Sequence, residues 1–267
     1  MLKISLLQMD ISHGDPEENR KRAERLLNEA LKVKVKPDIV ILPEMWNTGY
    51  ALESLSKIAD RDGSPTIEWL KEVAKENGIN IVAGSIADIR SGPGGEGPQV
   101  YNTAYVINRS GEVVARYDKV HRFRLMKEEK YLAPGEKAVT FELDGITCGI
   151  AICYDLRFPE FIRKIALLGA NILFVPAQWP KPRHIHWKLL NIVRAIENQF
   201  FVVGVNRVGK EGETEFPGMS IAVNPWGEVL LEADEREGVF ETIIDLSVIE
   251  QVRKYIPVFE DRRPEVY

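Results

Sequence analysis

Apolar residues along this chain recur with two periods, and the two alternate. Residues 3–9, "KISLLQM", and 38–42, "DIVIL", are near-continuous apolar runs of strand length, the pattern of strands buried on both faces. Between them, residues 16–34 carry apolar positions at helical spacing. Asp15 stands as N-cap, Pro16 as the first helical residue and Glu18 two places on, so the spacing predicts a helix opening at residue 16. A second helix is predicted from Ser64-Pro65 to a stop at Asn77-Gly78, followed by the strand "INIVAGSIA".

The middle of the chain changes to an antiparallel pattern. "YNTAYVIN" and "EVVARYD" flank the turn "RSG", and "AVTFEL" and "ITCGIAI" flank Asp144-Gly145, a strong hairpin signal. A helix near 158–168, the strand "NILFVP", a helix near 184–198 and the strand "FFVVGVN" follow, and three further strands and a short helix are expected to close the fold. The last dozen residues, from about 256, are polar with two prolines and predict an extended tail. No linker, repeat or low-complexity block divides residues 1–267, so one domain of mixed α/β sheets with helices on their outer faces is expected.

Composition narrows the partners. The 267 residues, 45% of them hydrophobic, suffice for a substantial core. A formal net charge of -5 with interspersed signs gives no electrostatic footprint for nucleic acid or an anionic membrane, which leaves a small molecule as the expected partner. "MLKISLLQMD" is too short an apolar stretch for a secretory leader, and no run approaches the ~18 apolar residues of a membrane span. Two cysteines, Cys148 and Cys153, fall on one predicted strand. They exclude a disulfide framework and suggest a cytoplasmic protein with reduced thiols.

Several motif matches carry little. "GPGGEG" at 92–97 fits a dinucleotide fingerprint but precedes a strand, whereas the fingerprint needs a helix. "GVNRVGKE", from Gly204, puts Glu211 where a phosphate loop needs a hydroxyl. His184 and His186 have no third ligand at suitable spacing, so no metal is expected. "NRS" at 108–110 reads as a hairpin turn.

Three reactive side chains, by contrast, are placed alike. Glu44 follows "DIVILP", Lys119 follows "VVARYD" and Cys153 follows "TCGIAI", each just past the carboxyl end of a predicted buried strand. Open α/β sheets build their sites at such ends. A thiol there, with a cation and a carboxylate in reach, suits nucleophilic catalysis through a thioester.

"ILPEMWNTGY", "RYDKVHRF" and "AICYDLRFPE", in this order and spacing, resemble the three motifs of the nitrilase superfamily of carbon-nitrogen hydrolases, and the resemblance spans the whole chain. It implies a four-layer α-β-β-α sandwich, a homodimer or higher homo-oligomer paired through helical faces, and no organic cofactor or metal. The helix around "FIRKIALLG" is the candidate pairing face. The resemblance puts the catalytic triad on Glu44, Lys119 and Cys153, with an additional glutamate at Glu128 or its neighbour Glu129. Lys119 and the backbone N–H of Tyr154 then become the oxyanion donors.

The segment "AQWPKPRHIHWKLLNIVRAIENQFFVVGVNRVG" is similar to bacterial omega-amidases, which act on the terminal amide of 2-oxo acids such as 2-oxoglutaramate and 2-oxosuccinamate. For such a substrate, Arg183 is the candidate carboxylate clamp, and Tyr50, Phe123 and Trp179 are the candidate pocket walls. Arg157 is expected to pair with a carboxylate near the helix start. The alternatives are hydrolysis of N-carbamoyl amino acids by the same residues, a papain-type cysteine-histidine pair using His121 or His184, and a non-catalytic binding or scaffold protein that keeps the fold.

Overall fold

The computed structural model describes residues 1–92, 94 and 97–266. In chain order its elements are β1 Leu2–Gln8, α1 Pro16–Leu31, β2 Ile39–Ile41, α2 Leu55–Ile58, β3 Asp60–Arg61, α3 Thr66–Asn77, β4 Asn80–Ser91, β5 Pro98–Ile107 and β6 Val113–Asp118. They continue with β7 Val139–Leu143, β8 Ile146–Ile150, α4 Pro159–Leu167, β9 Ile172–Ala177, α5 His184–Asn198, β10 Phe201–Asn206, β11 Val208–Glu211 and β12 Thr214–Pro217. The last are β13 Ile221–Val223, β14 Val229–Glu232, β15 Gly238–Ile244 and α6 Ser247–Tyr255.

Local chemistry sets the predicted boundaries. Asp15 Oδ1 accepts the Glu18 N–H at 3.0 Å, which caps α1 over Pro16. Gly78, at φ +64°, ends α3 in the left-handed conformation. Asp144 and Gly145 both take positive φ and close the β7–β8 hairpin in register. The expected close of three strands is corrected to five, because "VGKE" and "TEFP" form the two-stranded ribbon β11–β12. The loop "GPGGEG" includes positions 93, 95 and 96, which lie outside the described residues.

Two mixed sheets result. One runs β15-β1-β2-β4-β5-β6, with β3 paired to β4; the other runs β14-β13-β10-β9-β8-β7. Alternation along the strands shows the layering. Ile4, Leu6, Ile39, Ile41 and Val82 face inward and share a core with Ile150, Phe174 and Val203 of the second sheet. Their neighbours Leu7, Val40, Ile81 and Ala83 face outward against Leu26, Leu27, Leu70 and Ala74 of α1 and α3. On the far side, α4 and α5 cover the second sheet, completing the α-β-β-α sandwich. Among the described residues no helix is long and apolar enough to cross a membrane.

The second sheet and its helices approach closely because glycine occupies the contact. A Cβ on Gly149 of β8 would sit 2.2 Å from Ile165 Cγ2 of α4. α5 is unusual in its polarity: it buries Asn191, Arg194 and Asn198 and exposes Ile185, Leu189, Val193 and Ile196. α4, the expected pairing face, buries Ile162, Ile165 and Ala166 against its own sheet and leaves Leu167 exposed.

Gly149→Ala is expected to destabilise the fold by about 1–3 kcal/mol through overpacking against Ile165. A urea melt is the measurement, and the double variant Gly149→Ala/Ile165→Val should recover part of the loss.

Candidate active site

Ends of three strands bring the predicted triad together. Glu44 lies past β2, Lys119 directly follows β6, and Cys153 lies past β8. β6, expected as a buried strand, is the edge of its sheet, with Val113 and Val114 exposed and Tyr117, near its Lys119 end, buried. The ammonium Nζ of Lys119 donates to Glu44 Oε1 and to Glu128 Oε1, each at 2.8 Å. Glu44 and Glu128 are fully buried, and Lys119 and Cys153 are only 1% and 6% exposed. Glu128 is therefore the buried glutamate beside the lysine, and Glu129 points to solvent.

Each carboxylate is held by further donors. Glu44 Oε1 also accepts Asn102 Nδ2 at 2.8 Å, and its Oε2 accepts the Gln178 backbone N–H at 2.9 Å. Gln178 Nε2 donates to the Glu44 carbonyl at 2.7 Å. Glu128 accepts the Tyr50 hydroxyl at 2.8 Å and the Phe123 N–H at 2.9 Å.

Burial works against the Lys119 charge, but Glu128 and Glu44 outweigh it and hold the ammonium protonated well above its ordinary range. Burial also raises the Glu128 carboxyl; Lys119 opposes that rise and Glu44 adds to it. The Cys153 thiol is pushed far up, first by burial and then by Glu44, with Lys119 and the Gln178 N–H pulling it back. Such a thiol is neutral at physiological pH and needs a base in contact to become a nucleophile.

Cys153 itself has φ +43°, a left-handed conformation that only a sharp turn imposes on a side-chain-bearing residue. The 3-10 turn Cys153–Arg157 supplies it. Tyr154 is the second residue of that turn, where a backbone N–H has no carbonyl partner within the turn.

Asp155 anchors the turn from beneath, fully buried. It accepts the Ile152 N–H, the Tyr117 hydroxyl and the His121 N–H, and its Oδ1 lies 2.7 Å from His121 Nδ1. Arg194 of α5 fixes the other end by donating to the Leu156 carbonyl at 3.0 Å. Arg207, without solvent exposure, donates to Gln178 Oε1 and Glu211 Oε2, each at 2.8 Å, and so braces the residue that holds Glu44. Sequence reasoning missed Asn102, Asp155, Gln178, Asn206 and Arg207. Polar residues closing otherwise apolar strands, as in "VPAQ" and "GVNR", were the available signal.

Aromatic rings and two arginines surround this cluster. The Phe123 and Tyr154 rings pack at 4.7 Å. The Trp179 N–H donates to Asn206 Oδ1, and the indole N–H donates to the Arg183 carbonyl at 2.8 Å. The Arg183 guanidinium lies 5.7 Å from the Phe123 ring, and that of Arg157 lies 4.6 Å from the Trp179 ring. All four predicted binding residues, Tyr50, Phe123, Trp179 and Arg183, thus contact one another or Glu128. Arg157 corrects the expectation of a carboxylate partner: among the described residues its guanidinium lies 3.3 Å from His186 Nδ1 and meets no carboxylate within ion-pair distance.

Other assignments fall away on geometry. The His121 ring is stacked on Phe158 at 3.6 Å and set edge-on to Phe161, His184 Nδ1 lies 2.9 Å from the Lys181 carbonyl, and the charged groups that act on Cys153 are Glu44, Lys119 and Glu128, with no histidine among them to make a papain-type pair. "GVNRVGKE" runs from β10 into the ribbon, and Glu211 pairs with Arg207. Among the described residues no cluster of acids, histidines and cysteines has the geometry of a metal site.

An α-β-β-α sandwich with a buried glutamate, lysine and cysteine at its strand ends defines the nitrilase-like class of hydrolases. More narrowly, residues 3–254 match the carbon-nitrogen hydrolase family, and the chain belongs to it. It is 46% identical over 264 residues to a 2-oxoglutaramate amidase of Bacillus subtilis, covering 99% of this chain and 98% of that one. It is 32% identical over 274 residues to the human omega-amidase NIT2, covering 99% and 96%. Among solved structures, XC1258 from Xanthomonas campestris, a CN-hydrolase superfamily protein with an arsenic adduct in its active site, aligns with a TM-score of 0.89. It has 31% identity and covers 98% and 97% of the two chains.

Lys119→Met would leave two buried carboxylates facing each other without a cation, a loss of about 3–5 kcal/mol. Thermal melts should show that loss, and Lys119→Met/Glu128→Gln should be more stable than the single variant. A double variant no more stable than Lys119→Met would show that the carboxylate pair does not set the cost.

Proposed function

We propose that this protein is an omega-amidase, hydrolysing the terminal amide of small 2-oxo dicarboxylic acid monoamides such as 2-oxoglutaramate and 2-oxosuccinamate to the acid and ammonia. The observation that carries the chemistry is the Lys119 ammonium shared by Glu44 and Glu128 beside the Cys153 turn. The similarity to the Bacillus subtilis amidase favours the substrate.

In this reading Glu44 removes the Cys153 proton and the thiolate attacks the amide carbon. The resulting oxyanion is held by Lys119, which has one N–H left after its two carboxylate bonds, and by the Tyr154 N–H. Each such donor is worth about 3 kcal/mol in the transition state. Glu44 passes its proton to the leaving nitrogen as the C–N bond breaks, releasing ammonia and leaving a thioester on Cys153. It then takes a proton from water, whose oxygen attacks the thioester. Collapse frees the carboxylic acid, and the proton returns to sulfur. Glu128 keeps Lys119 aimed and charged. Tyr50, Phe123 and Trp179 wall the pocket, and Arg183 meets the substrate carboxylate.

Three coarser assignments accompany this one. Residues 1–267 act as one catalytic domain with a terminal tail. The free, buried thiols Cys148 and Cys153 suit the reducing cytoplasm. The apolar outward stripe of α5 pairs with a second copy. Leu189→Glu, placing a charge in that stripe, is expected to shift the protein to monomer in sedimentation-velocity runs; an unchanged sedimentation coefficient would remove α5 from the interface.

The decisive assay is ammonia release from 2-oxoglutaramate, run beside Cys153→Ala. Release that disappears in the variant supports the omega-amidase. No release from the unaltered protein rejects this substrate and directs the assay to N-carbamoyl amino acids.

A further inference from the structure

Glu44 carries the proton in the proposed reaction, and its hydrogen bonds single out one of its two oxygens. A carboxylate oxygen accepts two in-plane hydrogen bonds. Oε1 already takes two, from Lys119 Nζ and Asn102 Nδ2, each at 2.8 Å. Oε2 takes one, from the Gln178 backbone N–H at 2.9 Å. Among the described residues no other donor meets Oε2, so it alone of the two keeps a free lone pair. Burial and Glu44 raise the Cys153 thiol, and the same Gln178 N–H works against that rise. It therefore reaches the sulfur too, which sets Oε2 on the sulfur side of the carboxylate.

Gln178 is held at both ends of its side-chain amide. Its Nε2 donates to the Glu44 carbonyl at 2.7 Å, and its Oε1 accepts from Arg207 Nη1 at 2.8 Å. Arg207 offers only donors, so it fixes which way that amide faces. The guanidinium is itself locked, without solvent exposure and 4.3 Å from the Phe216 ring. Its five N–H groups meet five acceptors: Gln178 Oε1 and Glu211 Oε2 through Nη1, Asp10 Oδ1 and the Ile11 carbonyl through Nη2, and the Val208 carbonyl through Nε. Four of these bonds tie the ribbon β11–β12 to the loop after β1 or to itself. The bond to Gln178 is the one that leads into the active site.

We propose that Arg207 is a positioning residue: acting through Gln178, it holds Glu44 Oε2 as the oxygen that exchanges protons with Cys153. The proposal rests on the cysteine-amidase reading with Glu44 as base, and not on which amide is hydrolysed. In the first step the proton leaves Sγ for the free lone pair of Oε2. Negative charge moves to the sulfur, and the Gln178 N–H, which reaches both atoms, follows it. The proton then leaves Oε2 for the amide nitrogen as the C–N bond breaks. Oε1 keeps Lys119 and Asn102 throughout, so the transfer leaves the ammonium in place.

The test reads Cys153 of the intact protein with iodoacetamide, a neutral probe, across a range of pH, with Cys153→Ala as the blank. Arg207→Met and Gln178→Met are each expected to slow alkylation about tenfold near neutral pH, the effect of one charge-assisted hydrogen bond. The deficit should close as pH rises and the thiol ionises without a base. The double variant should be no slower than Gln178→Met, because the arginine acts through that side chain. Phe216→Leu, which loosens the ribbon but keeps the five hydrogen bonds, should retain the unaltered profile.

A deficit equal at every pH overturns the proposal, since it would report access to the thiol and not proton transfer. Additive losses in the double variant overturn it as well. Should Arg207→Met fail to fold because Glu211 loses its partner, Arg207→Met/Glu211→Gln takes its place in the cycle, with Glu211→Gln as reference. Glu44→Gln separates the two levels of failure. A slowed Glu44→Gln beside an unaltered Arg207→Met rejects the positioning role alone, whereas an unaltered Glu44→Gln rejects the base and the reading built on it.

Discussion

Lys119 carries a charge into a region almost without solvent, and it stays there because Glu44 and Glu128 each lie 2.8 Å from its ammonium. Removing Lys119 would leave two buried carboxylates without a cation, which costs far more than the pairing contributes. The arrangement therefore demands that the ends of β2 and β6 and the segment around Glu128 arrive at one point. Much of the polar architecture serves that demand. Asn102 lies on β5 and Gln178 directly after β9, so the Glu44 carboxylate is held by donors from both sheets. The inner faces of the sandwich are apolar nearly to the rim, and the site occupies the place where that apolar packing stops.

The nucleophile is coupled to this cluster through backbone more than through side chains. Asp155 ties the Ile152 N–H on the cysteine side to the Tyr117 hydroxyl and His121 N–H on the lysine side. One buried carboxylate thus sets the spacing of two loops that come from different sheets. Its four contacts explain how Cys153 can hold φ +43° without relaxing, since strained backbone persists only where its surroundings over-determine it.

How much of this was readable in the sequence depended on distance along the chain. The α1 cap at Asp15, the bounds of α5 and the Asp144-Gly145 turn rest on neighbours within a few residues, and the sequence pattern placed them well. Glu44, Lys119 and Cys153 stood out by their places just past predicted strands and again by motif resemblance, Glu128 by the resemblance alone, and the structure brings Glu44, Lys119 and Glu128 into direct contact. Arg207 illustrates what was hidden. Its partners include Gln178, 29 residues away, and the Ile11 carbonyl, 196 away, so its place at the end of an apolar strand could mark it as unusual but not name what it braces. Arg157 was misread for the opposite reason: proximity to a helix start suggested an acidic partner, while the side chain lies against Trp179. The ribbon β11–β12 was missed because its strands are four residues each, too short for a periodic signal.

The charges of the site are layered, and the layering gives the substrate a direction. Inside, one ammonium meets two carboxylates, so the cluster holds an excess of acidic groups over basic ones. Outside that cluster, Arg157 and Arg183 lie against the Trp179 and Phe123 rings, with no acid within ion-pair distance among the described residues. In a low-dielectric pocket these fields are weakly screened. In the proposed omega-amidase reading, a substrate with a carboxylate at one end and a neutral amide at the other would be repelled from the interior by its charged end and held by it at Arg183. The amide, which carries no charge and can both donate and accept hydrogen bonds, is the end that the interior admits. The same logic returns the product: once the amide becomes a second carboxylate, the excess acid around Glu44 and Glu128 disfavours its staying.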